Sequence, residues 1–306
     1  MSEDPRKSEK IWPEVLVRHP PAAAEAVAHF LFESGACALL QEEIPGGAGA
    51  WLSRAGFDPD RPIGDLAQDL NDFLEDLAGI FGLNQAPRAE WQNTRHGNWA
   101  EKWKEGLAPL EIGPVLVVKP SWCLYQARPD QVVLVLDPGM AFGTGCHATT
   151  YMCLAALDEI IRTAGPRARR VLDIGTGSGI LAMACAALGA GQITAIDIDA
   201  EALVVASENL ERNGLVDRIR LICAGPAALK GEYDLILANL TAGPLMDLAP
   251  TLTRLAAPGA MMVLSGLLTD QARAVLDCYE ELGLILERKM DQEEWTAVVL
   301  TRTMKR

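Results

Sequence analysis

Between residues 171 and 239 the chain alternates short apolar runs with helical stretches, and each informative run ends on a polar or glycine-rich tip. Val171–Ile174 leads into Asp173-Ile174-Gly175-Thr176-Gly177-Ser178-Gly179, which opens an apolar helix; Ile193–Ile196 ends on Asp197; Leu235–Ala238 ends on Asn239. Parallel strands need a long crossover, usually a helix, so this alternation predicts an open α/β sheet. Ligands of such sheets bind beyond the carboxyl ends of the strands, so the three tips are expected to converge on one crevice. The glycines let backbone turn sharply and come close to a ligand.

The loop excludes some ligands. Its spacing is G-x-G-x-G, with Ile180 where a dinucleotide fingerprint has its third glycine, and the chain has no G-x-x-x-x-G-K-[ST] phosphate loop. Asp197 stands about twenty residues beyond the loop, where a carboxylate accepts hydrogen bonds from ribose hydroxyls and repels a 2′-phosphate. The ligand expected is nucleotide-like, without a Walker-type phosphate site or a 2′-phosphate, the plainer alternative being a structural turn beside a strand-end Asp.

Composition limits the partners. At 306 residues the chain is long enough for two domains. A net charge of −14 runs against general nucleic-acid binding and reads equally as steering of a basic macromolecular partner or as plain solubility. Gly, Asp or Pro interrupts the longest apolar runs before they reach bilayer length. Residues 1–10 are charged and carry no apolar signal core, so a cytoplasmic protein is expected. The seven cysteines form no C-x-x-C pair and the four histidines no ligand spacing, so reduced thiols and no metal site are expected.

Ahead of the sheet, residues 11–43 read as strand, helix, strand, with the helix over Pro21–Ser34 stopped by Gly35. Trp51-Leu52 begins another strand. A helix over Ile63–Phe81 puts Leu66, Leu70, Phe73, Leu74 and Leu77 on one face. This predicts a small α+β domain over residues 1–90. A linker over residues 91–112 follows, with an amphipathic helix carrying Trp99 and Trp103 four apart. Residues 113–306 form the larger domain. It opens with strands at Val115–Val118 and Val132–Leu136, and closes with helix Thr269–Leu282 and strands Leu284–Lys289 and Trp295–Thr301. The short link between the last two strands makes them an antiparallel hairpin. The fold class is therefore α/β: a mostly parallel, doubly wound sheet with an antiparallel edge hairpin, plus the small domain.

DPGMAFGTGCHATT, DIGTGSGILA, AIDID, ENLERNG, ANLTAGPL and EEW occur in that order. Over essentially its whole length the chain resembles the ribosomal protein L11 methyltransferase (PrmA) family of class I enzymes that use S-adenosylmethionine. The resemblance implies a seven-stranded methyltransferase sheet, a small domain that captures the ribosomal protein, and a monomer that binds neither nucleic acid nor membrane. It also implies that Thr150, Gly175, Asp197 and Asn239 contact S-adenosylmethionine, and that Phe142 and Gly143 belong to a loop closing beside it. The chain departs from the family at Cys146 and Ala148, where Thr and Pro are usual, and at Leu240-Thr241, where Ile-Leu is usual.

Methyl transfer to an amine is an in-line displacement, and the amine must be neutral to present a lone pair. A reference pKa of about 10.4 makes that costly for lysine, while an α-amine near 8 is easier; desolvation helps either. Asn239 is the expected catalytic residue, orienting amine or donor without titrating. Thr150 is expected at the donor's amino-acid end or, nearly as readily, in an ordinary helix-start role, Asp173 near the donor's amino group, and Gly175 and Gly177 among the donor-binding residues. His147 reads more readily as structural than as a base. Trp295 and Glu294 read equally as acceptor-channel lining or edge-strand packing. Three other readings stand beside the leading one: a protein-lysine methyltransferase with another target, a catalytically silent S-adenosylmethionine-binding module, and a dinucleotide-dependent oxidoreductase.

Overall fold

The computed structural model describes residues 11–36, 38–44, 49–57, 62–83, 85–95, 108–137, 147–164 and 169–303. The chain divides into two compact units, residues 1–107 with 138–140, and residues 108–137 with 141–306. The expected linker helix with Trp99 and Trp103 lies outside the described residues, as do Phe142 and Gly143.

In the first unit, β1 (Ile11–His19), β2 (Ala38–Glu43), β3 (Trp51–Gly56) and β4 (Arg88–Arg95) form an antiparallel sheet in the order β2-β3-β1-β4. Helices α1 (Ala24–Glu33) and α2 (Gly64–Ile80) sit in the β-α-β-β-α-β succession of a split βαβ unit. Val15 and Val17 of β1, Ala55 of β3, and Leu66, Leu70, Leu74 and Leu77 of α2 share one buried cluster. Strand β4 runs to Arg95, beyond residue 90, where the sequence places the end of the small domain. The sequence reading overlooked this strand because only Ala89 and Trp91 interrupt a polar run. Both of those side chains pack against the unit's core.

The second unit carries a seven-stranded sheet: β8 (Arg170–Ile174), β9 (Gln192–Asp197), β10 (Ile219–Cys223), β11 (Tyr233–Asn239), β12 (Ala256–Leu268), β13 (Leu284–Gln292) and β14 (Trp295–Arg302), in the order β10-β9-β8-β11-β12-β14-β13. The first five in that order pair in parallel, while β14 is antiparallel to both β12 and β13. The strands expected near Val115 and Val132 exist, but not in this sheet. With β5 (Leu110–Ile112), strands β6 (Leu116–Lys119) and β7 (Val132–Val135) make a separate three-stranded sheet. Strand β5 lies within the range the sequence assigns to the linker.

Alternation along the strands divides the core in two, as a sheet covered on both faces requires. Val171, Ile193, Ala195, Leu235 and Leu237 join residues of α3 (Ala148–Ala164) and α4 (Ile180–Ala187) in one cluster, together with Leu210 of α5 (Ala200–Arg212). Leu172, Ile174, Ile196, Ile236 and Ala238 face the other way, against α6 (Ala242–Leu255) and α7 (Ala272–Glu281). Burying both faces fixes the register, since a one-residue slip would invert every side chain. Among the described residues no helix is long and apolar enough to cross a membrane, and no group of three or more metal-binding side chains gathers.

Candidate active site at the strand ends

Strand β8 delivers the glycine loop. Gly175, Gly177 and Gly179 all hold positive φ, at 66°, 53° and 82°, a region that side chains with a Cβ avoid. At Gly175 space is also short: a Cβ there would lie 2.7 Å from Leu240 Cδ2. The Thr176 N–H donates to the Ile196 carbonyl at 3.0 Å, which ties the loop to the end of β9.

Asp173 lies under this loop, 1% exposed. Its Oδ2 accepts from the Thr176 hydroxyl at 2.6 Å and from the Ala182 N–H at 3.2 Å, one of the donors that the first turn of α4 leaves unpaired. Its Oδ1 is buried and has no hydrogen-bond partner. Burial pushes the carboxyl up to about 6, against the pull of those two bonds and with the help of the nearby Asp197 charge. An unpartnered buried carboxylate oxygen is costly, on the order of 1–3 kcal/mol or more for a charged group.

Asp197 ends β9 with its carboxylate already aimed. Oδ2 accepts from the Gly177 N–H at 2.9 Å, and Oδ1 accepts from the Asp199 N–H at 3.1 Å. Each carboxylate oxygen has a second lone pair, so two acceptor sites remain. Asp199 then caps α5 by accepting from the Glu201 N–H at 2.8 Å.

Asn239 ends β11, two strand positions from β9 across β8. Its Nδ2 donates to the hydroxyls of Thr149 and Thr150, at 3.3 Å each. The neighbouring bonds fix that orientation. The Thr149 backbone N–H can only donate, and it meets His147 Nδ1 at 3.4 Å, so Nδ1 is an acceptor. The Thr149 hydroxyl, 2.7 Å from the same nitrogen, therefore donates to it and keeps its lone pairs for Asn239 Nδ2. Asn239 Oδ1 is left without a partner among the described residues. His147 occupies the N-cap position of α3, with its ring edge-on to Trp295 at 5.0 Å between centroids.

Three strand ends thus hold an unpartnered carboxylate oxygen, a braced carboxylate with spare lone pairs, and an amide oxygen free to accept. The model of the family described as ribosomal protein L11 methyltransferase (PrmA) matches residues 11–303. The chain belongs to this family. It is 36% identical over 303 residues to a ribosomal protein L11 methyltransferase of Syntrophotalea carbinolica, covering 94% of this chain and 97% of that protein. A relative of the same description from Chromohalobacter salexigens is 39% identical over 239 residues, covering 76% and 78% of the two chains. Among solved structures, the ribosomal protein L11 methylase of Lactobacillus delbrueckii subsp. bulgaricus superposes with a TM-score of 0.57 at 34% identity. That superposition covers 64% of this chain and 97% of the other.

Several further side chains flank this set of strand ends. His147 is accounted for as a helix cap. Trp295, 8% exposed, packs with Ala148, Met152 and Ala297, which is the packing alternative. Glu294 is exposed, and its carbonyl accepts from Thr269. Thr149 went unremarked in the sequence beside Thr150, yet it joins His147 to Asn239. Ser265 of β12, the register partner of Asn239, donates its hydroxyl to the Thr149 carbonyl at 3.2 Å. Thr149 could have been found by its place beside Thr150 at a helix start, whereas nothing in the sequence signals Ser265, whose part depends on strand register.

Proposed function

We propose that this chain transfers methyl groups from S-adenosylmethionine to amino groups of ribosomal protein L11, on lysine side chains, the N-terminal amine, or both. The observation that carries the proposal is the family match running through both units, from residue 11 to 303.

The strand-end residues suit the donor. The donor's amino-acid end carries an ammonium, and the buried Asp173 Oδ1 is a carboxylate oxygen lacking a partner. Its ribose presents two hydroxyls, and Asp197 has two unused acceptor sites held by backbone N–H groups. Gly175 and Gly177 leave backbone exposed between these carboxylates, and Thr150 lies against Asn239. Phe142 and Gly143 are assigned to the same donor site by motif position.

The donor supplies an electrophilic methyl group on a sulfonium. The remaining work belongs to the chain. Asn239 Oδ1 accepts a hydrogen bond from the incoming neutral amine and turns its lone pair toward the methyl carbon. Alignment of this kind supplies much of the acceleration in a displacement. The Thr149, Thr150 and His147 hydroxyl–imidazole network holds the amide in the orientation that presents oxygen. An amide does not titrate, so this step adds no pH limit of its own; the amine's loss of its proton sets one instead, eased by desolvation.

Residues 1–90 are assigned to substrate capture, 91–112 to the linker and 113–306 to catalysis. The exposed face of α2 supports the first assignment: Asp65, Asp69, Asp72, Glu75 and Asp76 are all exposed, and the helix has no basic residue. Such a surface steers a basic protein toward the enzyme. The chain is assigned to the cytoplasm and to action as a monomer.

The test is intact-protein mass spectrometry of unmethylated ribosomal protein L11 from the same organism, incubated with this chain and S-adenosylmethionine. Mass increments of one methyl, absent with Asn239→Ala, are expected. No increment from a protein that still binds S-adenosylhomocysteine would direct the search to another protein substrate or to a silent module.

A further inference from the structure

The seven-stranded sheet is covered unevenly. The crossovers β8–β9, β9–β10 and β11–β12 each contain an α-helix, as parallel connections usually do. The crossover from β10 to β11 has only residues 224–232 and a single short 3-10 turn at Pro226–Ala228. These nine residues must descend from the carboxyl end of β10 to the amino end of β11, which lies beyond β9 and β8. A chain so short covers only part of that face, through Pro226 and Leu229. A groove of about 940 Å³ remains between this crossover and the first residues of β8, β9 and β10.

The groove reverses the charge of the protein. In a chain of net −14, it is lined by Arg170, Arg218, Arg220 and Lys230 against the single carboxylate of Asp217. All four cations are exposed. Arg218 donates to the Ala190 carbonyl at 3.0 Å, and the Arg170 guanidinium lies 5.2 Å from the centre of the Tyr233 ring. Arg220 and Lys230 have no hydrogen-bond or ion-pair partner among the described residues. Arg170 pairs with Gln192 in register, and Arg220 with Thr194, so both arginines stand on the same sheet face with β9 between their strands. Two strand spacings and a two-residue offset along the strands set their Cα atoms about 12 Å apart, which spreads positive charge along the groove as suits a ligand with more than one anionic group.

We propose that this groove is a binding site for a small polyanion carrying at least two phosphate groups, separate from the methyl-donor crevice. Arginine suits phosphate through its planar, forked donors. The volume lies within the range of small-ligand sites, about 300–1,000 Å³. Single-stranded RNA fits less well: among the described residues lining the groove the one aromatic ring, Tyr233, is 6% exposed with Arg170 over it, which leaves little for base stacking.

The experiment is calorimetric titration of the full chain with tripolyphosphate, repeated at raised salt and on Arg220→Glu/Lys230→Glu. Saturable binding is expected, weakened at least tenfold in the double variant, while affinity for S-adenosylhomocysteine stays unchanged. Should that variant also lose S-adenosylhomocysteine, Arg220→Gln/Lys230→Gln removes the charges without adding repulsion and serves in its place. Absent or non-saturable binding, or equal affinity in the charge-depleted variant, would overturn the proposal. Tight binding of an RNA oligonucleotide or an acidic peptide that tripolyphosphate cannot displace would also overturn it, in favour of a macromolecular partner.

Discussion

The ends of β8 and β9 differ from the end of β11 in the kind of group they present. The first pair offers carboxylates, Asp173 and Asp197, each anchored by a backbone N–H from the glycine loop or the helix behind it. The last offers a neutral amide, Asn239, anchored only by side-chain hydroxyls. Charge suits holding a cationic donor, because ionic hydrogen bonds are the stronger ones. A neutral group suits the acceptor side, where an extra carboxylate would stabilise the ammonium form of the amine and keep its lone pair unavailable. On this account one edge of the sheet separates binding from turnover, and each prediction probes that separation.

The largest effect belongs to Asn239→Ala. Methyl transfer should fall about 100-fold or more, as loss of alignment does elsewhere, with a much smaller loss of S-adenosylhomocysteine affinity. Single-turnover kinetics beside a binding titration read both quantities, and an equal loss in each would merge the two regions into one. Gly175→Val should act in the opposite sense. It forces a side chain into positive φ and toward Leu240, a strain on the order of 1–3 kcal/mol, and should abolish donor binding at moderate cost in thermal stability. Donor binding at wild-type strength would remove the loop from the site.

Asp173 gives a pH signature. Burial raises its carboxyl to about 6, so the empty protein keeps the proton below that pH, whereas a cationic donor group requires the ionised form. Donor affinity should therefore be flat above pH 6 and weaken below it, by about tenfold per pH unit at most. Asp173→Asn should flatten the profile. A profile unchanged by the substitution would mean that Asp173 serves only to cap α4. The smallest effect is expected for Thr149→Val, which removes one hydroxyl from the chain between His147 and Asn239. Turnover should fall about fivefold, the value of one neutral hydrogen bond, with donor affinity preserved.

The parts legible in sequence were those whose cause is local. The glycine loop, Asp197 and Asn239 each sit where an apolar run ends, and the helix expected over Ile63–Phe81 runs from Gly64 to Ile80. What escaped depends on partners far along the chain. Strand β4 is polar on one face because only Ala89 and Trp91 meet the core. Strands β6 and β7 pair with each other and β5 outside the main sheet, a choice that apolar content alone cannot make. His147 takes its role from Thr149, and the basic groove exists because the β10–β11 crossover is nine residues long and carries only a 3-10 turn. Each residue of that groove is an unremarkable surface cation until β8, β9 and β10 are set side by side.

If the strand ends form one methyl-donor crevice, Asp197 stands at its ribose side. Calorimetric titration of S-adenosylhomocysteine into the wild-type chain and into Asp197→Ala tests it directly. Stoichiometric binding that weakens about 100-fold in the variant is predicted, the worth of two hydrogen bonds to a charged group. Equal affinity in the two proteins would contradict it.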